Sequence, residues 1–153
     1  SMAGEDENYE GGDTLPTVKV NGVRVTPLIC YDLRFPEPFR PAATGTDLYC
    51  VIANWPYMRR VAWSTLLRAR AIENQAYVLG VNRVGEAGGK PHAGDSALID
   101  PMGRVVVDSA EYEEGIVKGR ADPDEVAEVR RSLDFLTDRK PDLYRMLEED
   151  RIT

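Results

Sequence analysis

Two near-continuous apolar runs, "DLYCVIANWP" (47–56) and "AYVLGVNRVG" (76–85), enclose the segment "RRVAWSTLLRARAIENQ" (59–75). An apolar run without polar alternation suits a strand buried on both faces. The enclosed segment puts Val61, Leu66, Ala69 and Ile72 near helical spacing, and a helix is what joins one parallel strand to the next. The same alternation begins upstream. "TVKVNGVRVTPLIC" holds two β-branched runs around Asn21-Gly22, a strong hairpin signal, with the second strand arriving at Cys30. "PEPFRPAATG" starts on prolines and closes on Gly45, which predicts a short helix. Downstream, "GDSALIDPMGRVVVDSAEYEEGIVKGRAD" reads as three strands joined by a Pro-Met-Gly turn and an acidic turn. "DPDEVAEVRRSL" opens with an Asp cap and a first-turn proline, so a helix follows. The acidic, Gly-rich start "SMAGEDENYEGGD" reads as loop, and "DFLTDRKPDLYRMLEEDRIT" as a weakly periodic tail that docks elsewhere. Together these elements predict an α/β layered fold with a mixed sheet.

At 153 residues the chain has room for one domain with a real core. Its formal net charge of −7 argues against nucleic acid and anionic membrane as partners, since both need a basic surface. No run is long and apolar enough to cross a bilayer, and no basic start leads into a signal-type segment. Two cysteines without a targeting cue fit a reducing, cytoplasmic compartment, although a Cys30–Cys50 disulfide is the alternative. One histidine and two cysteines cannot close a tetrahedral zinc site without carboxylates. Neither a metal nor a cofactor is expected.

In open α/β sheets reactive groups gather at the carboxyl ends of adjacent strands. Cys30, Asn54-Trp55 and Asn82-Arg83 all fall at such predicted ends. A strand-end thiolate is a nucleophile, and the backbone N–H of Tyr31 can face the oxyanion formed when Cys30 attacks a carbonyl or nitrile carbon. The bland alternative for Cys30 is a buried free thiol. Cys50, flanked by Tyr49, Val51 and Ile52, reads as core. A thiol needs a base, and His92 in "GKPHAGDS", followed by Asp95, offers a Cys-His-Asp device. Against it, a histidine in a Gly-rich loop is by default solvated.

The blocks "LICYDLRFPE", "ANWP", "RARAIENQAYVLGVNRVG", "GDSALIDPMGRVV" and "FLTDRKPDLY" occur in an order that resembles the nitrilase superfamily of carbon–nitrogen hydrolases. "CYDLRFP" with "ANWP" looks most like its bacterial omega-amidase branch, which hydrolyses side-chain amides of 2-oxo acids. The resemblance implies an αββα sandwich, a Cys-Glu-Lys triad with Cys30 as nucleophile, and a thioester intermediate. It makes His92 unnecessary. A second family glutamate, which positions the lysine or substrate, maps onto "EDENYEGG" as Glu7, with Glu5 the other register; a solvated loop charge is the alternative. By resemblance Trp55 and Asn54 line the substrate pocket, where an ordinary core aromatic competes for Trp55, and Arg83 either pairs with a substrate carboxylate or is a surface residue. Arg34 with Glu37, and Arg70 with Glu73, read as structural ion pairs. The family's subunits also pair, so a homo-oligomer is expected. Residues 1–144 form the hydrolase portion and 145–153 a tail.

One departure matters. The family's catalytic glutamate and lysine lie upstream of the loop with which these residues begin, and Lys19, Lys90, Lys118 and Lys140 do not occupy the family position. The resemblance therefore implies the carboxyl-terminal portion of such a hydrolase, without the amino-terminal strands and helices, and an isolated chain that is inactive. The competing class is a non-catalytic α/β module that binds a small molecule or a partner chain. Nitrile and carbamoyl hydrolysis share the same triad.

Overall fold

The computed structural model describes residues 7–149. The hairpin forms as its Asn21-Gly22 turn predicts: β1 (Val18–Val20) pairs antiparallel with β2 (Val23–Ile29), and both turn residues have positive φ. Helix α1 (Phe39–Ala42) leads to β3 (Leu48–Ala53), and α2 (Arg60–Asn74) leads to β4 (Tyr77–Asn82). A small antiparallel pair follows, β5 (Val84–Ala87) with β6 (Lys90–Ala93). Next come β7 (Ala97–Ile99), β8 (Val105–Asp108), α3 (Pro123–Ser132) and α4 (Pro141–Glu149). The main sheet runs β1-β2-β3-β4-β7-β8. Its central three strands are parallel, with Ile29, Ile52 and Val81 in one register row, and β7 and β8 extend it antiparallel. This is the mixed α/β layering expected.

One face of the sheet is sealed. Leu28, Tyr49, Val51 and Val78 meet Phe39 of α1 and Trp63, Leu67 and Ala71 of α2 in a single buried cluster. The buried stripe of α2 is Trp63, Leu67, Arg70, Ala71 and Asn74, whereas Val61 and Ile72 of the expected stripe are exposed. The reason is polar residues at core positions. Arg70 lays its guanidinium 5.2 Å from the Phe39 ring centroid, donates to the Leu33 carbonyl at 2.9 Å and pairs with Glu73 at 2.9 Å. Asn74 donates to the Arg70 carbonyl at 2.8 Å. Close helix–sheet contact is possible because β4 has Gly80 under Leu67 and Trp63.

The other face is covered at one end only. Val126 of α3 packs with Tyr77 and Leu98 in a second cluster, edged by Leu48, Leu79 and Val107. At the carboxyl end of the parallel strands Ile29, Ile52 and Val81 remain exposed. β3 is thus buried on one face rather than both. The third strand expected after Asp108 does not form: residues 109–122 are irregular, and Ile116 is 89% exposed. α4 spans the 144/145 boundary and keeps Leu143, Met146 and Leu147 exposed. None of the described helices is long and apolar enough to cross a membrane.

Candidate active site

The strand-end residues meet as predicted. Because Ile29, Ile52 and Val81 share one row, the chain leaves β2, β3 and β4 on the same edge of the sheet. There lie Cys30, Asn54-Trp55 and Asn82-Arg83. β2 ends on Leu28 and Ile29, and the chain then tightens into a single 3₁₀ segment, Cys30–Arg34. The first residue of that segment, Cys30, has φ +42°. A non-glycine residue in the left-handed region costs about 1–3 kcal/mol and persists only where the surroundings over-determine it.

The surroundings that hold this turn are identifiable. Asp32 folds back so that its carboxylate accepts from the Ile29 N–H at 2.8 Å. Arg70 binds the Leu33 carbonyl from α2, and Leu33 itself is fully buried. Arg34 does not pair with Glu37 among the described ion pairs; its guanidinium lies 4.6 Å from the centroid of the Trp55 ring. The Arg70–Glu73 pair forms as expected, and Arg40 joins it at 2.8 Å. Cys30 is half-buried against the core cluster, and Tyr31 is exposed with its ring edge-on to Phe35. Both cysteines are free thiols. Cys50 sits mid-strand and is half-buried, outside the core that the sequence predicts for it, and burial still pushes its thiol pKa up.

Trp55 is 3% exposed. Its indole N–H donates to the Arg59 carbonyl at 2.9 Å and its ring packs 5.5 Å from Trp63. Asn54, one residue earlier, is exposed. Sequence reasoning places Asn82 only as a strand end; its side chain is the clamp of the edge. The carboxamide accepts from the Trp55 N–H at 2.7 Å and donates to the carbonyls of Trp55 at 3.1 Å and Gly94 at 2.9 Å. An asparagine closing a buried strand is the available signal; nothing in the sequence points to its partners on two other loops.

Arg83 is exposed and donates to the Glu86 carbonyl at 3.3 Å. It borders an open cleft of about 630 Å³ with Val81, Asn82, Ser96, Glu114 and Ile116. Glu7 is exposed, and Glu5 lies outside the described residues. His92 is not the solvated loop residue expected. It belongs to β6 opposite Gly85 and is 2% exposed, with Nδ1 unpartnered. Asp95 is engaged too: Arg60 pairs with it at 2.6 Å and also with Glu111 at 2.5 Å.

The architecture is that of a mixed α/β layer in which the segments following three parallel strands gather at one edge of the sheet. More narrowly, the chain belongs to the carbon-nitrogen hydrolase family, whose profile matches residues 2–131. It is 41% identical over 143 residues to a 2-oxoglutaramate amidase of Bacillus subtilis, covering 93% of this chain and 52% of that protein. It is 48% identical over 106 residues to the omega-amidase YafV of Escherichia coli K12, covering 69% of this chain and 41% of that protein. Among solved structures it resembles a CN-hydrolase superfamily protein of Xanthomonas campestris with an arsenic adduct in its active site. The TM-score is 0.84 at 38% identity, over 91% of this chain and 55% of that one. The chain thus spans about half the length of the curated relatives it matches.

Proposed function

We propose that this chain carries the nucleophile of an amidase that releases ammonia from the side-chain amide of a 2-oxo acid. The observation that carries the reading is Cys30 at φ +42° on the carboxyl edge of β2, since strain at a thiol in such a position is kept for presentation of the sulfur. Support comes from the amidase relatives. It comes also from a mutant of the Nesterenkonia sp. AN1 amidase, 29% identical with TM-score 0.74, described as showing Michael addition of acrylamide at its active site cysteine.

In this reading the Cys30 sulfur attacks the amide carbon and the Tyr31 N–H faces the developing oxyanion. The C–N bond breaks, ammonia leaves carrying the proton taken from the thiol, which an acid–base group passes to the nitrogen, and water then cleaves the thioester to acid and free thiol. Arg83 meets the substrate carboxylate, Asn54 forms the pocket wall beside Cys30 with the buried Trp55 backing it, and Glu7 approaches from the amino-terminal loop. The family's general base and its lysine have no counterpart among these 153 residues.

Ammonia release from 2-oxoglutaramate tests this. The isolated chain stays silent, because losing acid–base help costs about 10²–10⁴-fold and losing an oxyanion donor about 10²–10³-fold. Joined to a segment that supplies the glutamate and lysine, it hydrolyses the amide; Cys30→Ala abolishes this and His92→Ala does not. Release by the isolated chain that vanishes in His92→Ala overturns the reading.

A further inference from the structure

We propose that Asn82 is a positioning residue for Cys30, acting through Trp55 and Arg34; the inference rests on the amidase reading only for the chemistry that Cys30 performs. Every hydrogen-bonding group of the Asn82 carboxamide is used: its oxygen accepts from the Trp55 N–H, and its two N–H donate to the carbonyls of Trp55 and Gly94. Both peptide groups of Trp55 are thereby tied to the end of β4. The backbone of Asn82 is tied in turn. Its N–H donates to Ser96 Oγ at 2.9 Å and its carbonyl accepts from the same hydroxyl at 3.2 Å, while the Ser96 N–H donates to Ser109 Oγ at 3.1 Å.

What the clamp holds is the loop after β3, and on that loop the indole of Trp55. The ring cannot tilt, because its N–H is bound to Arg59 and one flank rests on Trp63. It therefore offers a fixed surface to the Arg34 guanidinium, 4.6 Å from its centroid. Arg34 ends the same five-residue segment that Cys30 begins. A left-handed cysteine relaxes toward ordinary φ when its turn is freed. Of the restraints on that turn, the Arg34–Trp55 stack is the one that reaches across to β4. No side chain touching Cys30 needs to change for the sulfur to lose its presentation.

The test compares alkylation of Cys30 with that of Cys50, read by peptide mass spectrometry on the native 153-residue chain. Cys50, half-buried in mid-strand β3, is the internal reference. Asn82→Asp keeps the shape and the acceptor but sets a carboxylate against two carbonyls. Each lost hydrogen bond shifts the seated loop by a factor of about two to ten. The expected result is a Cys30-to-Cys50 rate ratio lower by about tenfold with the Cys50 rate unchanged. The ratio recovers in mild acid, read with a dithiodipyridine that still reacts there, because the protonated carboxyl regains a donor. A role in packing alone gives no such recovery.

An unchanged ratio in Asn82→Asp overturns the proposal, as does a wild-type chain in which Cys30 labels no faster than Cys50. If Asn82→Asp also speeds Cys50, Asn82→Ala, which introduces no charge, is the deciding variant. A lowered ratio with slow Cys50 supports the proposal; a wild-type ratio, or general opening again, overturns it. Failure of the amidase reading looks different: labelling that responds to Asn82 while the completed protein hydrolyses no amide leaves the positioning role intact and removes the chemistry.

Discussion

Gly80→Ala is the smallest change that probes how the site's platform is built. A Cβ at this position would lie 2.5 Å and 2.9 Å from the two Leu67 methyls and 2.8 Å from Trp63 Cζ2. Carbon atoms in contact sit about 3.5–4.0 Å apart, so α2 or its side chains must retreat by about 1 Å. Trp63 is fully buried and Leu67 is 1% exposed, so neither can swing into solvent. Overpacking of this kind costs about 1–3 kcal/mol. With the neighbours so enclosed the upper half of that range is expected. Leu67→Ala alone costs about 2–5 kcal/mol through the cavity it leaves. Combined, the two changes partly cancel, since the new methyl enters the space that the leucine vacates. Trp63 still limits the rescue. Urea unfolding of the four species, fitted with a common slope, gives the coupling directly. A favourable coupling of about 1 kcal/mol or more is expected. Additive costs, or a Gly80→Ala chain as stable as wild type, would refute the close approach as the reason for glycine.

Two pH predictions follow from buried partners. Burial pushes the Asp47 carboxyl up, but the side-chain and backbone hydrogen bonds from Arg24, at 2.5, 3.0 and 2.9 Å, outweigh it and hold the pKa below the ordinary value. A depressed carboxylate contributes stability above its unfolded pKa of about 3.9 and loses it as pH falls through the folded value. Asp47→Asn should therefore flatten the acid limb of a Tm-against-pH curve, and an unchanged slope counts against the pair. Burial pushes Tyr49 up to about 12, and burial together with the Glu125 carboxylate does the same for Tyr77. Those two should ionise last in an ultraviolet alkaline titration. Stability should fall as pH rises above the unfolded tyrosine value of about 10; Tyr49→Phe and Tyr77→Phe chains that keep the full alkaline loss exclude this origin.

The parallel core is legible because its signals are local: β-branched runs, an Asn-Gly turn, a capped helix start at Asp122, whose carboxylate accepts from the Asp124 N–H at 3.0 Å. Legibility ends wherever a polar residue holds a core position or an apolar one stays outside. Arg70 and Asn74 take the buried stripe of α2 that Val61 and Ile72 are expected to fill. The β5–β6 hairpin is hidden by Pro91 and by Gly85, although Gly88-Gly89, both at positive φ, is itself a hairpin turn signal. His92 is misread for the same reason, since a loop and a buried strand look alike around so many glycines. For the site, the strand-end rule places Cys30, Asn54-Trp55 and Asn82-Arg83 on one edge. It cannot show that Asn82 reaches back to Trp55, or that Arg34 prefers an indole to Glu37, because both partnerships exist only after distant strands have paired.

That dependence has a consequence for the order of events in folding. The row of Ile29, Ile52 and Val81 exists only once two parallel crossovers have closed, and such pairing forms against the loop entropy of the intervening helices, later than hairpins or helix turns. While the chain emerges from a ribosome, Cys30 is made well before Trp55 and Asn82. For that interval its thiol has neither a shaped turn nor a neighbour to hold it, and it behaves as any unfolded cysteine does. On the proposed role of Asn82, selectivity of the sulfur is a late property of the chain, acquired when β4 docks, and a nascent chain stalled before β4 carries the residue without its clamp.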